Sequence, residues 1–128
     1  MAIKVYNSCL KDSAHNTLYF ESFGGVYFWS NELEVLKAQY QLNRKFCLKK
    51  RVSLNDFYRY LGIPEQPIGN KLGWYWYISE FIYQHPWISF IYDVYDSSDD
   101  LPSYYHIVMP FPPRDDYKDF KEGDSRES

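Results

Sequence analysis

Cysteine and histidine are scarce in this chain, with two of the first and three of the second among 128 residues. Cys9 and Cys47 form no C-x-x-C pair and no metal-finger spacing, and they read as reduced thiols. His15, His85 and His106 have neither HxxxH nor HExxH spacing and fall in three different segments, so no catalytic or metal centre converges on them. Glycine is also sparse. No GxGxxG or GxxxxGK(S/T) run occurs, which excludes a conventional phosphate-cradling loop. The densest apolar stretch, Leu72 to Ile78, falls far short of the roughly 18 residues that span a bilayer. Residues Met1 to Asn7 have no apolar signal core. The expectation is a cytoplasmic protein without membrane contact, metal, cofactor or enzymatic activity.

Aromatic residues, by contrast, make up 21% of the chain, which argues for a packed core rather than disorder. Charge is unevenly spread. Residues 1–51 hold eight basic and four acidic side chains, whereas residues 52–128 hold six and thirteen. A chain polarised in this way favours oriented association with a charged partner.

Period-two patterning predicts strands at Ile3–Tyr6, at Thr17–Phe23 and, after the Gly24-Gly25 break, at Val26–Trp29. Asn31, with Glu34 three residues on, marks a helix start, and Leu33, Leu36 and Tyr40 share a face in a helix running to about Arg44. A second helix is capped by Ser53 with Asp56 at the third position. It carries Leu54, Phe57, Tyr58 and Leu61 on one face and ends at Gly62 and Pro64. Beyond the connector, Leu72, Trp74, Trp76 and Ile78 alternate with Tyr75 and Tyr77. Ile88, Phe90, Tyr92 and Val94 alternate with Trp87, Ile91 and Tyr95, and Ser103–Met109 forms a last strand. The fold expected is α+β: two short helices packed on an antiparallel sheet, with a C-terminal three-stranded meander. The domain spans 1–113, and 114–128 form a charged, disordered tail.

Two surfaces stand out. If the tryptophans face the helices, Tyr75, Tyr77, Trp87, Ile91 and Tyr95 point away, giving a sheet face too apolar to rest in water uncovered. Such residues dominate protein interfaces, although the N-terminal strands could instead form a layer over them. Asp96, Asp99 and Asp100 lie at the adjoining turn; with Asp93 they read as a solvated acidic tip rather than a cation site, since the EF-hand spacing is absent. The alternative surface is basic: Arg44, Lys45, Lys49, Lys50 and Arg51 place five positive charges in eight residues, suited to nucleic-acid phosphates. The acidic balance of the whole chain opposes that reading.

The run Lys50-Arg51-Val52-Ser53-Leu54-Asn55-Asp56-Phe57-Tyr58, then Leu61-Gly62-Ile63-Pro64 and Ile68-Gly69-Asn70-Lys71-Leu72-Gly73-Trp74, resembles a signature of small domain-of-unknown-function proteins. Those proteins are carried by phages, prophages and other mobile elements of Gram-positive bacteria. The resemblance covers about residues 50–113 and transfers no catalytic residue. It implies a phage-like accessory protein. We therefore expect function by protein–protein binding, with a bacterial host or defence protein as partner and inhibition, anti-CRISPR-like in mode, as the narrower form. A homodimer through the aromatic face is a further expectation.

Overall fold

The computed structural model of the protein describes residues 5–7, 17–76 and 87–119. Strands β2 (Thr17–Glu21) and β3 (Val26–Ser30) form an antiparallel hairpin, with Tyr19 opposite Phe28. The turn needs a left-handed residue, and Gly25 supplies it at φ 67°. Glu21 closes the turn: its carboxylate accepts the N–H groups of Phe23 at 2.6 Å and Gly24 at 2.8 Å.

Helix α1 (Glu32–Lys49) starts where the sequence predicts, with Asn31 Oδ1 accepting from Glu34 N at 2.9 Å. It runs past Arg44 because the buried spacing continues to Phe46. Lys50 then ends it in the left-handed region at φ 65°, its N–H donating to the Phe46 carbonyl at 2.8 Å. The buried face differs from the expected one. Val35, Ala38, Leu42 and Phe46 turn inward, while Leu33, Leu36 and Tyr40 are exposed.

Strand β4 (Arg51–Ser53) leads into α2 (Leu54–Leu61), which carries the predicted capping box between Ser53 and Asp56 and the left-handed Gly62 cap at φ 79°. Asn55 then fixes the Pro67–Asn70 turn by accepting from Gln66 N at 2.8 Å and donating to the Gln66 carbonyl and to Asn70 Oδ1, each at 3.0 Å. Strand β5 (Gly73–Tyr75) returns antiparallel to β4, placing Val52 opposite Trp74 in a separate two-stranded sheet.

Strands β6 (Ile91–Tyr95) and β7 (Tyr104–Val108) form the expected C-terminal hairpin. The five-stranded sheet has the order β1-β3-β2-β7-β6, with β1 being Val5–Asn7. It is mixed, since β1 runs parallel to β3 and β2 parallel to β7. The α+β class stands, with a different strand arrangement. Among the described residues, β5 pairs with β4 rather than joining β6 and β7 in a meander, because the short β4–α2 unit brings its own partner edge to it. The Tyr77 position lies outside the described residues.

The helices cover one face of the large sheet. Tyr19, Phe28, Val26 and Ile107 form a single core with Val35, Leu42, Phe46, Phe57, Tyr58 and the fully buried Trp74. Asn43 ties the preceding segment to α1 by accepting from Ile88 N at 2.6 Å and donating to the Ile88 carbonyl at 2.9 Å. Residues 114–119, read from sequence as part of the 114–128 tail, continue the fold, and 120–128 lie outside the described residues. Arg114 bridges Gly73 through two backbone hydrogen bonds, and Tyr117 is buried with its hydroxyl donating to the Asn70 carbonyl at 3.0 Å.

Candidate functional site

Strand parity sorts the large sheet into two faces. Registered pairs place Phe20 beside Tyr27 and His106, and Tyr95 beside Tyr104, all on the face away from the helices. None of these five belongs to the core. They pack on one another: Phe20 and Tyr27 at 4.5 Å, Tyr27 and Tyr104 at 5.6 Å, and Tyr95 stacked on Tyr104 at 5.2 Å and 6°. His106 completes the row, 5.6 Å from Phe20 and 5.9 Å from Tyr95, and its buried Nε2 has no hydrogen-bond partner among the described residues. Ile91, at the β6 end of the same face, is 52% exposed, and Val5 at the β1 end is 38% exposed. The result is a continuous aromatic surface crossing the sheet. Burial first, then the neighbouring Tyr104 hydroxyl, pushes the Tyr27 phenol above its usual range.

The expected binding residues divide between two places. Ile91 and Tyr95 lie on this outer face, and Trp87 is exposed just before β6. Asp93 lies between Ile91 and Tyr95 on the same strand face, and Asp96, Asp99 and Asp100 are exposed in the following turn. An acidic border therefore flanks the aromatic surface. Tyr75 sits elsewhere, in the two-stranded sheet under the Arg51 guanidinium at 5.0 Å, because β5 left the expected meander. Phe20 and Tyr27 were not singled out from sequence; of Tyr104 and Tyr105, one of which strand alternation points outward, the outward one is Tyr104. Alternation placed Phe20 opposite Tyr19, but only the parallel pairing of β2 with β7 puts Phe20 beside Tyr104 and His106. The N-terminal strands do not stack over the aromatic face; they extend the same sheet edge to edge.

The basic segment is not one open cluster. Lys45 pairs with the buried Asp56 at 2.9 Å, Lys50 Nζ lies 3.5 Å over the Trp76 ring, and Arg51 lies over Tyr75. Arg44 and Lys49 are exposed on α1. Cys47 is a free, exposed thiol, and Cys9, His15 and His85 lie outside the described residues. Among the described residues, no group of three or more His, Cys, Asp or Glu side chains could hold a metal ion, and no helix is long and apolar enough to cross a membrane.

The sequence signature at 50–74 turns inward. Val52, Leu54, Phe57, Tyr58, Leu61 and Trp74 are core, Ser53 and Asp56 cap α2, and Asn55 holds the loop. Gly69 and Gly73 leave no room for a Cβ against Asn55 and against the Val52 carbonyl and Tyr117 ring. These residues specify the β4–α2–β5 unit and present no site.

No curated protein and no solved structure matches the chain. A sequence family does match, across residues 3–118 and thus over both the inward signature and the strands of the aromatic face: the chain belongs to a family of unknown function (DUF6353).

Proposed function

We propose that the protein is a binding module whose outer sheet face docks on another protein. The observation that carries this reading is the row Tyr27–Phe20–Tyr104–Tyr95, which lies outside the core and opposite the helices. Large aromatic rings left partly exposed on a sheet face are enriched at protein interfaces relative to ordinary surface. The acidic border of Asp93, Asp96, Asp99 and Asp100 gives the partner its character: an apolar patch edged with lysine or arginine. The mobile-element setting implied by the signature makes that partner a protein of the bacterial host. In the narrower form the module occupies a basic surface of a defence protein that otherwise takes nucleic acid.

The test is affinity capture from host lysate by the tagged full chain, with Ile91→Asp and Tyr40→Ala as paired variants. One stoichiometric partner, lost with Ile91→Asp and kept with Tyr40→Ala, supports the reading. Capture unaffected by Ile91→Asp removes the outer face from the interface. Self-association abolished by Ile91→Asp assigns the face to a homodimer. Nuclease-sensitive capture returns attention to the basic segment.

A further inference from the structure

The opposite face of the sheet holds a second feature, independent of the aromatic surface. Between the first turn of α1 and strands β2, β6 and β7 lies a cleft of about 470 Å³, within the range that accepts small organic ligands. Tyr19, Tyr92 and Tyr105 line it. Tyr19, only 4% exposed, is the floor: Tyr92 meets it edge-on at 81° with centroids 6.1 Å apart, and Tyr105 packs on it at 5.5 Å, so the half-buried Tyr92 and Tyr105 are the rings a ligand can reach. Phe28, stacked behind Tyr19 at 5.5 Å, fixes that ring in place.

The charge of the cleft has one sign. Among the described residues its lining contains no Lys, Arg or His, and its one ionisable carboxylate is that of Glu32. Glu32 is exposed at the start of α1, and no described cation forms an ion pair with it. The partial positive end of the helix is already answered by the Asn31 cap and by Glu32 and Glu34 in the first turn. Tyr19 and Tyr92 remain neutral phenols: burial, then the charges of Tyr105 and Glu32, push Tyr19 up to about 12, and burial likewise raises Tyr92. Ring faces carry negative electrostatic potential and attract cations, most strongly where water is partly excluded. An anion would meet the Tyr92 and Tyr105 rings and a carboxylate.

We infer that this cleft binds an organic cation, of the alkylammonium class, held against the Tyr92 and Tyr105 rings above Tyr19, with Glu32 as its counter-ion. The cation has two chemical sources, a free quaternary ammonium compound or the side chain of a basic residue on another protein.

Amide NMR titration of the full chain tests the assignment with three probes: choline, its neutral isostere 3,3-dimethylbutan-1-ol, and Nα-acetyl-Nε-trimethyl-lysine amide. Saturable shifts at Glu32 and Val35 with at least one cation, about tenfold weaker with the neutral alcohol, are expected. Preference for the lysine derivative assigns the cation to a protein side chain, and preference for choline to a free compound. Glu32→Gln, at an exposed position that leaves the core untouched, is expected to weaken the cation by about two- to fivefold. Tyr92→Leu is expected to weaken it by about tenfold or more. Equal affinity for the neutral alcohol, no saturable shift with either cation, or an unchanged affinity in Glu32→Gln overturns the assignment. Because Ile91→Asp acts on the other face, failure here leaves the protein-docking reading standing, and the reverse also holds.

Discussion

On the inner face of the sheet Tyr19 and Phe28 stack at 5.5 Å and share a core with Val35, Ala38 and Leu42; on the outer face Phe20 and Tyr27 meet at 4.5 Å and share none. The two pairs stand in the same register of the same hairpin, one residue apart. Their chemistry is nearly identical, so aromatic content alone cannot distinguish a core from an interface. What distinguishes them is parity along the strand combined with the side on which the helices pack. The polar groups do not separate the faces in the same way. Glu21, buried on the inner side, is met by two backbone N–H groups and the Tyr58 hydroxyl, but among the described residues each face also keeps one buried polar atom without a partner, Ser30 Oγ on the inner side and His106 Nε2 among the outer rings.

The largest effect that would sharpen this comparison comes from truncating adjacent residues of β3. Phe28→Ala removes a fully buried ring and should cost about 3–5 kcal/mol. Tyr27→Ala removes a half-buried ring with two aromatic neighbours and should cost about 1–2 kcal/mol. Urea unfolding with both variants measures the gap. Equal costs would mean that the outer face is covered in solution and that the two faces are equivalent.

Local chemistry made much of the fold legible. Ser53 with Asp56, Asn31 with Glu34, and Gly62 each act over three or four residues, and each forms as the sequence predicts. Helix α1 shows where this stops. Residues 33, 36 and 40 have helical spacing, but so do 35, 38, 42 and 46, and periodicity cannot choose between two apolar stripes on one helix. The sheet chooses, by packing on Val35, Ala38, Leu42 and Phe46. The candidate site was half legible for the same reason. Ile91 and Tyr95 follow from alternation within β6, whereas bringing Phe20 and Tyr104 together requires a parallel pairing across more than eighty residues. No local signal encodes that pairing.

A smaller effect probes the inner face. The Tyr58 hydroxyl donates to Glu21 across the interface of α2 with the β2–β3 turn, and a Cβ on Gly24 would collide with that hydroxyl. Tyr58→Phe leaves a buried carboxylate short of one donor and should cost about 1–3 kcal/mol. Burial holds the Glu21 carboxyl above the usual glutamate range, against the opposing hydrogen bonds from Tyr58, Gly24 and Phe23. A folded-state value raised in this way contributes stability below the ordinary glutamate range, and that contribution is lost as pH rises through the folded value. Removing the Tyr58 donor raises the folded value further, so the variant's deficit should be larger at pH 7 than at pH 4. Denaturation at the two pH values checks the sign; a deficit independent of pH would mean that Glu21 does not titrate against the hydroxyl.

The smallest effect addresses the outer face directly. Tyr95 and Tyr104 stack nearly parallel, yet Tyr95 is 46% exposed, so their mutual contact is bordered by water. A double-mutant cycle of Tyr95→Ala and Tyr104→Ala should give a coupling of about 0.5–1.5 kcal/mol, the value of an aromatic pair beyond its burial. A coupling near zero would mean that the stack is not populated and that the outer rings move independently. A larger coupling would mean that the pair is desolvated in the free protein, which requires a cover such as a second copy of the chain. The same cycle measured on partner affinity separates preorganisation from contact area: if the stack presents a rigid surface, either single substitution should remove most of the affinity that the double substitution removes.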